Sequence, residues 1–359
     1  MTNVAVVGGG NIGTLLAAEL AFRGNEVRMF ASDAPRWSRE IEVYSPDDEL
    51  LYRGRLAFAT DDLAEAVRGA DWVFVTHPSS RFGVLAPVLV PLVEAGQRIC
   101  VVPGADAELF FADVVDRGAT LLGLQRVHSI ARLRERGRSV YQLGRKPSVQ
   151  LASIPSDQAG HEAGELSHML DMPVEALPNY LIETLTPSNP ILHTARLASM
   201  FSGWYEGVSY PENILFYESW DDASSELLIA CDRELQDLCR EIELAGDVDL
   251  NAVRPLTEHY ESPDAKAMTK KISHIPAFKG LGSPMREMSA GVWVPDFESR
   301  YFTADFGVGL KVISEMAVIF GVNVPNINNV LSWYESASGA RIERVVRRNR
   351  AELLDMYKQ

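Results

Sequence analysis

The 359-residue chain is too long for one ordinary core and fits two domains, three at the outer limit. At 47% hydrophobic and 23% charged residues it reads as a soluble globular protein, which excludes a disordered chain. Acids outnumber bases 49 to 34, giving a formal charge of −15, which argues against nucleic acid or an anionic membrane as the main partner and leaves small anionic substrates open.

The elements begin at once, leaving no room for a signal peptide ahead of the first strand. Asn3–Val7 is a short apolar strand, followed by a glycine-rich turn and a helical stretch over Thr14–Arg23 that Gly24 and Asn25 end. Glu26–Phe30 reads as a second strand, Asp61–Arg68 as a helix, and Trp72–Thr76 and Arg98–Val102 as strands. Further strands are expected at Gly118–Leu124 and Val149–Ile154. Such alternation predicts βαβ units on a mostly parallel sheet. Beyond about Pro178 helical patterns dominate: Ile191–Tyr205, Ser224–Ala245, Val308–Phe320, and Ile327 to the C-terminus. In the second of these Leu227, Cys231, Leu235, Leu238 and Ile242 share one face. The expected fold is therefore α/β: an N-terminal Rossmann-type parallel-sheet domain over 1–180 and a mainly helical C-terminal domain over 181–359. The basic end (Arg341, Arg344, Arg347, Arg348, Arg350) reads as the solvated face of a terminal helix.

No apolar run is long enough to span a bilayer, so no membrane association is expected. Cys100, Cys231 and Cys239 include no Cys-x-x-Cys and cannot form a paired framework, which points to a reducing cytoplasm. No metal-ligand constellation appears.

Gly8-x-Gly10-x-x-Gly13 lies between a strand and a helix, the context that gives this motif meaning. Gly8 permits the tight turn, Gly10 lets the backbone approach a pyrophosphate, and Gly13 lets helix and strand pack closely. Asn11 and Ile12 open the helix beside the same phosphate site. After the second strand come Ser32, Asp33 and Arg36. Asp33 suits the ribose hydroxyls of NAD, whereas Ser32 and Arg36 suit the 2′-phosphate of NADP; the choice stays open, tipped slightly to NADP. His77-Pro78-Ser79-Ser80 follows a strand where such folds place a loop near the nicotinamide.

Reduction of C=O or C=N needs a proton donor, and histidine oriented by a carboxylate is the common solution. His161 and His168 lie in a polar helical stretch and read as surface residues. His193 opens a helix after a proline-rich turn at the domain boundary; taken alone it reads as a structural histidine. Thr303 or Asp305 can cap the helix that follows them, and for Asp305 that capping role is the plainer reading by itself. Arg300 carries a planar fork suited to a carboxylate, or to a surface salt bridge.

Taken together the motifs resemble the opine dehydrogenase family, of octopine/nopaline type. The resemblance covers most of the chain: VAVVGGGNIG, FASDAPRW, GRSVYQLG (137–144), LTPSNPILH ending at His193, FKGLGSP (278–284) and VPDFESRYFTADFGVGL (294–310). It implies NAD(P)H-dependent reductive condensation of an amino acid with a 2-oxo acid through an imine. It also implies that His193 is the catalytic histidine, Asp305 its partner, and Arg300 the ligand of the oxo-acid carboxylate. Two residues depart from the family pattern: Ala304 stands where a glutamate is usual, and Thr194 where relatives have proline. The place of a guanidinium-reading glutamate is taken by Gln125, which favours a neutral or acidic amino acid. Gln125, Arg126, His128 and Arg132 are the substrate-pocket candidates. The expected partners are small-molecule substrates, and a homodimer is compatible with the chain. The rival readings are a 2-hydroxy-acid or ketopantoate-type reductase, which needs no amine, and a non-catalytic NAD(P)-binding sensor.

Overall fold

The computed structural model describes residues 1–186 and 189–358. Pro187 and Ser188, part of the LTPSNPILH motif, lie outside the described residues. The chain divides into two compact units, Met1–Thr184 joined by the C-terminal residues from Asp355 on, and Leu185–Leu354. The division falls a few residues after the one expected, and the terminus returns to the first unit.

Twelve strands build the first unit: β1 (Asn3–Val7), β2 (Glu26–Phe30), β3 (Glu40–Tyr44), β4 (Leu50–Arg55), β5 (Phe58–Thr60), β6 (Trp72–Val75), β7 (Arg98–Val101), β8 (Thr120–Leu124), β9 (Ser129–Glu135), β10 (Ser139–Arg145), β11 (Val149–Ile154) and β12 (Val174–Ala176). Eight form one sheet in the order β12-β11-β8-β7-β6-β1-β2-β5. From β5 to β8 every pairing is parallel; β11 runs antiparallel to β8, Leu151 facing Leu124. The expected fold class is what the structure has, a parallel-dominated sheet in the first unit and a helical second unit. Val4–Val7 and Trp72–Val75 are buried on both faces, as parallel strands covered by helices must be. The helix Asn11–Phe22 lies against this core with Leu15, Leu16, Ala17, Ala18 and Leu20 buried.

A second sheet, β4-β3-β10-β9, was not foreseen. Its strands bury Ile41, Val43, Ala131 and Val140 on one side and carry charged residues on the other. It explains two of the family motifs. Trp37 of FASDAPRW packs under the hairpin, where the backbone of Ser38 donates to Gly137 O of GRSVYQLG at 2.9 Å. A side chain on Gly137, which has φ +73°, would lie 3.2 Å from Trp37.

The second unit is helical, with a short antiparallel pair, β13 (Met285–Ser289) and β14 (Val292–Pro295). Its long helix Asp222–Ala245 buries Leu228, Cys231, Leu235, Leu238 and Ile242. Its N-cap Asp221 accepts from Ser224 N at 2.8 Å. The helix expected over Ile191–Tyr205 ends at Met200. The helix expected to run from Ile327 to the terminus is two, Pro325–Ser338 and Arg350–Lys358. Gly339 at φ +68° terminates the first in the left-handed cap that glycine adopts without a Cβ penalty. Arg341, Arg344, Arg347 and Arg348 therefore belong to an irregular segment, and only Arg350 to a helix.

Candidate active site

The glycine turn has the shape its residues imply. Gly8 sits at φ +126°, and a Cβ there would lie 2.7 Å from Thr76 Oγ1. A Cβ on Gly13 would lie 1.9 Å from Gly8 O. Gly10, the N-cap of helix Asn11–Phe22, faces open space: a Cβ there would meet nothing within 4 Å, and no side chain caps the helix. Unencumbered amide N–H groups at a helix N-terminus are what a dinucleotide pyrophosphate requires, so the residues fit NAD(P). Asn11 Oδ1 accepts from Leu133 N at 2.9 Å, so its side chain ties the turn to β9, while Ile12 packs against the core.

At the end of β2 the structure adds a partner to the candidates left open there. Asp33, proposed for the ribose hydroxyls, is already engaged: Arg136 meets it through Nε (2.5 Å) and Nη2 (2.9 Å), and Trp37 Nε1 donates to it at 3.2 Å. The Arg136 hydrogen bond holds the Asp33 carboxyl down at about 2. Arg136 also donates to Gly9 O at 3.2 Å, joining the β9–β10 turn to the glycine loop. Ser32 and Arg36 are exposed beside it. Arg136 was missed because it lies over a hundred residues from Asp33, in a hairpin the sequence did not reveal.

Gln125 and Arg126 leave the C-terminal end of β8, on the same sheet edge as the glycine turn and His77, the edge where such sheets bind ligands. Burial and the Arg126 charge lower the Lys146 ammonium below its ordinary range. His128, named as a pocket candidate, is fully buried, and its Nε2 lies 3.1 Å from Glu19 Oε2. As placed, it supports the fold rather than a ligand. Arg132 is exposed on β9 and donates to Ala131 O at 3.0 Å. His161 and His168 are exposed, as expected.

In the second unit two distant positions meet. His193, on helix Leu192–Met200, places Nδ1 2.8 Å from Asp305 Oδ2. Asp305 does not cap a helix with its side chain; it opens a π-helical turn, Asp305–Leu310, that runs into helix Lys311–Phe320. Thr303 Oγ1 donates to Ser299 O at 3.2 Å instead of capping. Single π turns are rare and recur at functional sites. The pair is largely buried, with side-chain exposures of 11% for His193 and 16% for Asp305, low enough to strengthen the contact and high enough for access. Phe216 stands edge-on to the imidazole at 5.5 Å, and Tyr301 lies tilted at 4.7 Å. Arg300 is exposed, with its guanidinium 5.6 Å from the Tyr301 ring, and makes no ion pair among the described residues. Ala304 leaves the Asp305–His193 contact intact.

The sequence did not mark Tyr217, whose hydroxyl lies 3.1 Å from His193 Nε2. Its ring stacks on Phe278 at 4.0 Å, which gives the FKGLGSP motif a structural role. Burial pushes the Tyr217 phenol well above its ordinary value; Tyr301, Tyr260 and Asp305 add to this, and Arg300 opposes it. Among the described residues no His, Cys, Asp and Glu cluster suits a metal ion, and no helix is long and apolar enough to cross a membrane.

Known proteins resemble this chain along nearly its whole length. Residues 176–338 match the NAD/NADP octopine/nopaline dehydrogenase alpha-helical domain, and residues 3–104 match the NAD-dependent glycerol-3-phosphate dehydrogenase N-terminus. Octopine dehydrogenase of Pecten maximus is 28% identical over 94% of this chain and 90% of its own. Opine dehydrogenase of Haliotis discus hannai is 27% identical over 94% and 91%. A solved structure of octopine dehydrogenase with NADH and L-arginine superposes with a TM-score of 0.83 at 27% identity, covering 94% of this chain and 90% of that one. The two domain matches fall in order along the chain, and proteins named octopine and opine dehydrogenase are similar to it along nearly the whole of each chain.

Proposed function

We propose that the chain catalyses NAD(P)H-dependent reductive condensation of an amino acid with a 2-oxo acid, giving an N-(carboxyalkyl) amino acid through an imine. The observation that carries the reading is the 2.8 Å contact between His193 Nδ1 and Asp305, made across 112 positions of sequence. A carboxylate in that place fixes the ring orientation and stabilises the imidazolium that forms when His193 takes a proton. His193 frees the attacking amine of its proton and returns protons as the carbonyl oxygen departs as water. Arg300, exposed and without an ion-pair partner among the described residues, anchors the oxo-acid carboxylate with its planar fork. The reduced cofactor supplies hydride to the imine carbon. Gln125 and Arg126, at the ligand-binding edge of the sheet, read the amino acid; an uncharged amide at 125 favours a neutral or acidic one. Three buried free thiols suit a reducing cytoplasm. For the cofactor, Ser32, Arg36 and Arg136 surround an Asp33 already occupied by arginine, which supports NADP over NAD.

The test is a pairwise screen of amino acids and 2-oxo acids, with NADH and NADPH run in parallel. Oxidation is expected only when both substrates are present; oxidation with the oxo acid alone would make the protein a C=O reductase. His193→Ala should lower turnover by roughly a hundredfold or more while cofactor affinity holds. Near-normal turnover in that variant would remove His193 from the mechanism.

A further inference from the structure

The lone pair that His193 needs for chemistry does not face open space; it faces a phenol. Asp305, as a carboxylate, only accepts, so its 2.8 Å contact places the ring proton on Nδ1. A neutral ring is then an acceptor at Nε2, where the Tyr217 hydroxyl lies at 3.1 Å and donates to it. Tyr217 is 6% exposed, and the burial that raises its phenol keeps the hydroxyl protonated.

Its position is set from several sides. Arg196, one turn beyond His193 on the same helix and 2% exposed, donates to Phe216 O at 3.1 Å and Ser219 O at 2.5 Å. From the other side Phe216 N donates to Leu281 O, and Ser283 N to Ile214 O, both at 2.8 Å. Phe278 and Trp220 each stack on the Tyr217 ring, with interplanar angles of 18° and 7°. Arg196 also donates to Ser224 Oγ at 2.9 Å and pairs with Asp221 at 3.4 Å, so its buried charge is compensated while its fork fixes the chain on both sides of Tyr217.

We propose that Tyr217 is a catalytic residue for the reaction: its hydroxyl holds the His193 lone pair on Nε2 and passes the substrate's proton to it. This rests on the reductive-condensation reading of the site and assigns the route by which the amine reaches its base. In the step, an N–H bond of the amino acid's ammonium group breaks, leaving the neutral amine that attacks the carbonyl, and the proton joins the Tyr217 oxygen as that oxygen's own proton passes to Nε2. Tyr217 is neutral before and after, and the positive charge rests on an imidazole beside Asp305. Two protons move in one step.

The test is Tyr217→Phe, which keeps the ring stacked on Phe278 and deletes the oxygen. In the free protein the ¹⁵N resonance of His193 Nε2 should move toward that of a bare lone pair, while Nδ1 stays protonated. With a working substrate pair, turnover should fall by at least roughly tenfold with cofactor KM unchanged. The dependence of turnover on deuterium content of the solvent should be curved in the parent and linear in the variant. An unmoved Nε2 resonance, or wild-type turnover with the same deuterium dependence, overturns the proposal. Should Tyr217→Phe fail to fold, 3-fluorotyrosine at 217 keeps the oxygen, acidifies it and should shift the pH profile of turnover; an unshifted profile counts against the relay. If no substrate pair is turned over, the reductive-condensation reading fails by itself, while the resonance still decides the contact.

Discussion

Gly10 and Gly13 stand three residues apart in one motif, yet the structure gives them opposite sensitivities. A methyl at residue 13 would sit 1.9 Å from the carbonyl oxygen of Gly8, backbone against backbone, with no flexible side chain to yield. A methyl at residue 10 meets nothing within 4 Å, and φ −84° is ordinary for alanine. Gly13→Ala should therefore lower the melting temperature, by several degrees for the few kcal/mol that an unrelieved backbone clash costs. Gly10→Ala should melt with the parent but bind NAD(P)H at least roughly tenfold more weakly, because its methyl occupies the ground a pyrophosphate approaches. Calorimetry and fluorescence titration check the two halves separately. Equal melting losses in both variants would mean that the turn serves the fold alone.

At the scale of elements, Glu19 links the helix Asn11–Phe22 to the second sheet. Its carboxylate is 1% exposed; Oε2 meets His128 Nε2 at 3.1 Å, and Oε1 is hydrogen-bonded by Arg145. Burial raises its pKa, but the bonds to His128 and Arg145 outweigh burial and bring it down to about 2, from an ordinary 4.5. A depressed carboxylate contributes stability above its unfolded pKa and loses it as pH falls toward the folded one. The parent should lose stability between about pH 4.5 and 2, on the order of a few kcal/mol from this group. Glu19→Gln should be less stable at pH 7 and show a shallower fall on acidification, read from urea midpoints across that range. Parallel midpoint curves would show that the ion pairs carry none of the acid dependence. This network was invisible beforehand for the same reason as the sheet it supports. Strands such as EIEVY and SIARLRE carry charges on their open face and lack the apolar runs that marked VAVV and WVFV. Asn3–Val7 and Val149–Ile154 were legible to the residue because core burial forces such composition, whereas Glu26–Phe30, half-exposed like EIEVY, was marked by the helix stop at Gly24 and Asn25 just before it. The dyad is a different case: local pattern gave His193 and Asp305 only structural roles, and family resemblance paired them. Tyr217 carried no signal, because what matters is a contact 24 positions away in an unremarkable NILFYESW stretch.

On the scale of the whole molecule the decisive feature is where the chain ends. After an irregular segment the last helix, Arg350–Lys358, brings its C-terminal residues from Asp355 on back into the first unit. Tyr357 is 4% exposed, and its hydroxyl donates to Glu108 Oε1 at 2.8 Å. The same oxygen accepts from Thr184 at 2.8 Å, so residues near the division and the terminus share one buried acceptor. Glu183 lies fully buried nearby, its carboxyl pushed well above the ordinary range by burial despite the Ala152 N–H it accepts at 2.9 Å. The first unit thus draws Met356 and Tyr357 of its core from beyond the second unit in sequence, which predicts that the stability of its sheet depends on these residues. Tyr357→Phe keeps the ring and removes one bond to a buried carboxyl group, a loss of about 1–3 kcal/mol. For a unit of this size that corresponds to a fall in melting temperature of roughly 2–4 °C per kcal/mol. Removing the chain from Asp355 on should cost more, since it also strips Met356 and the Tyr357 ring from the core. Calorimetry of the three proteins, each with and without NAD(P)H, decides the matter. If the truncated chain unfolds at the parent's temperature, the terminal helix is an appendage and the first unit is complete without it.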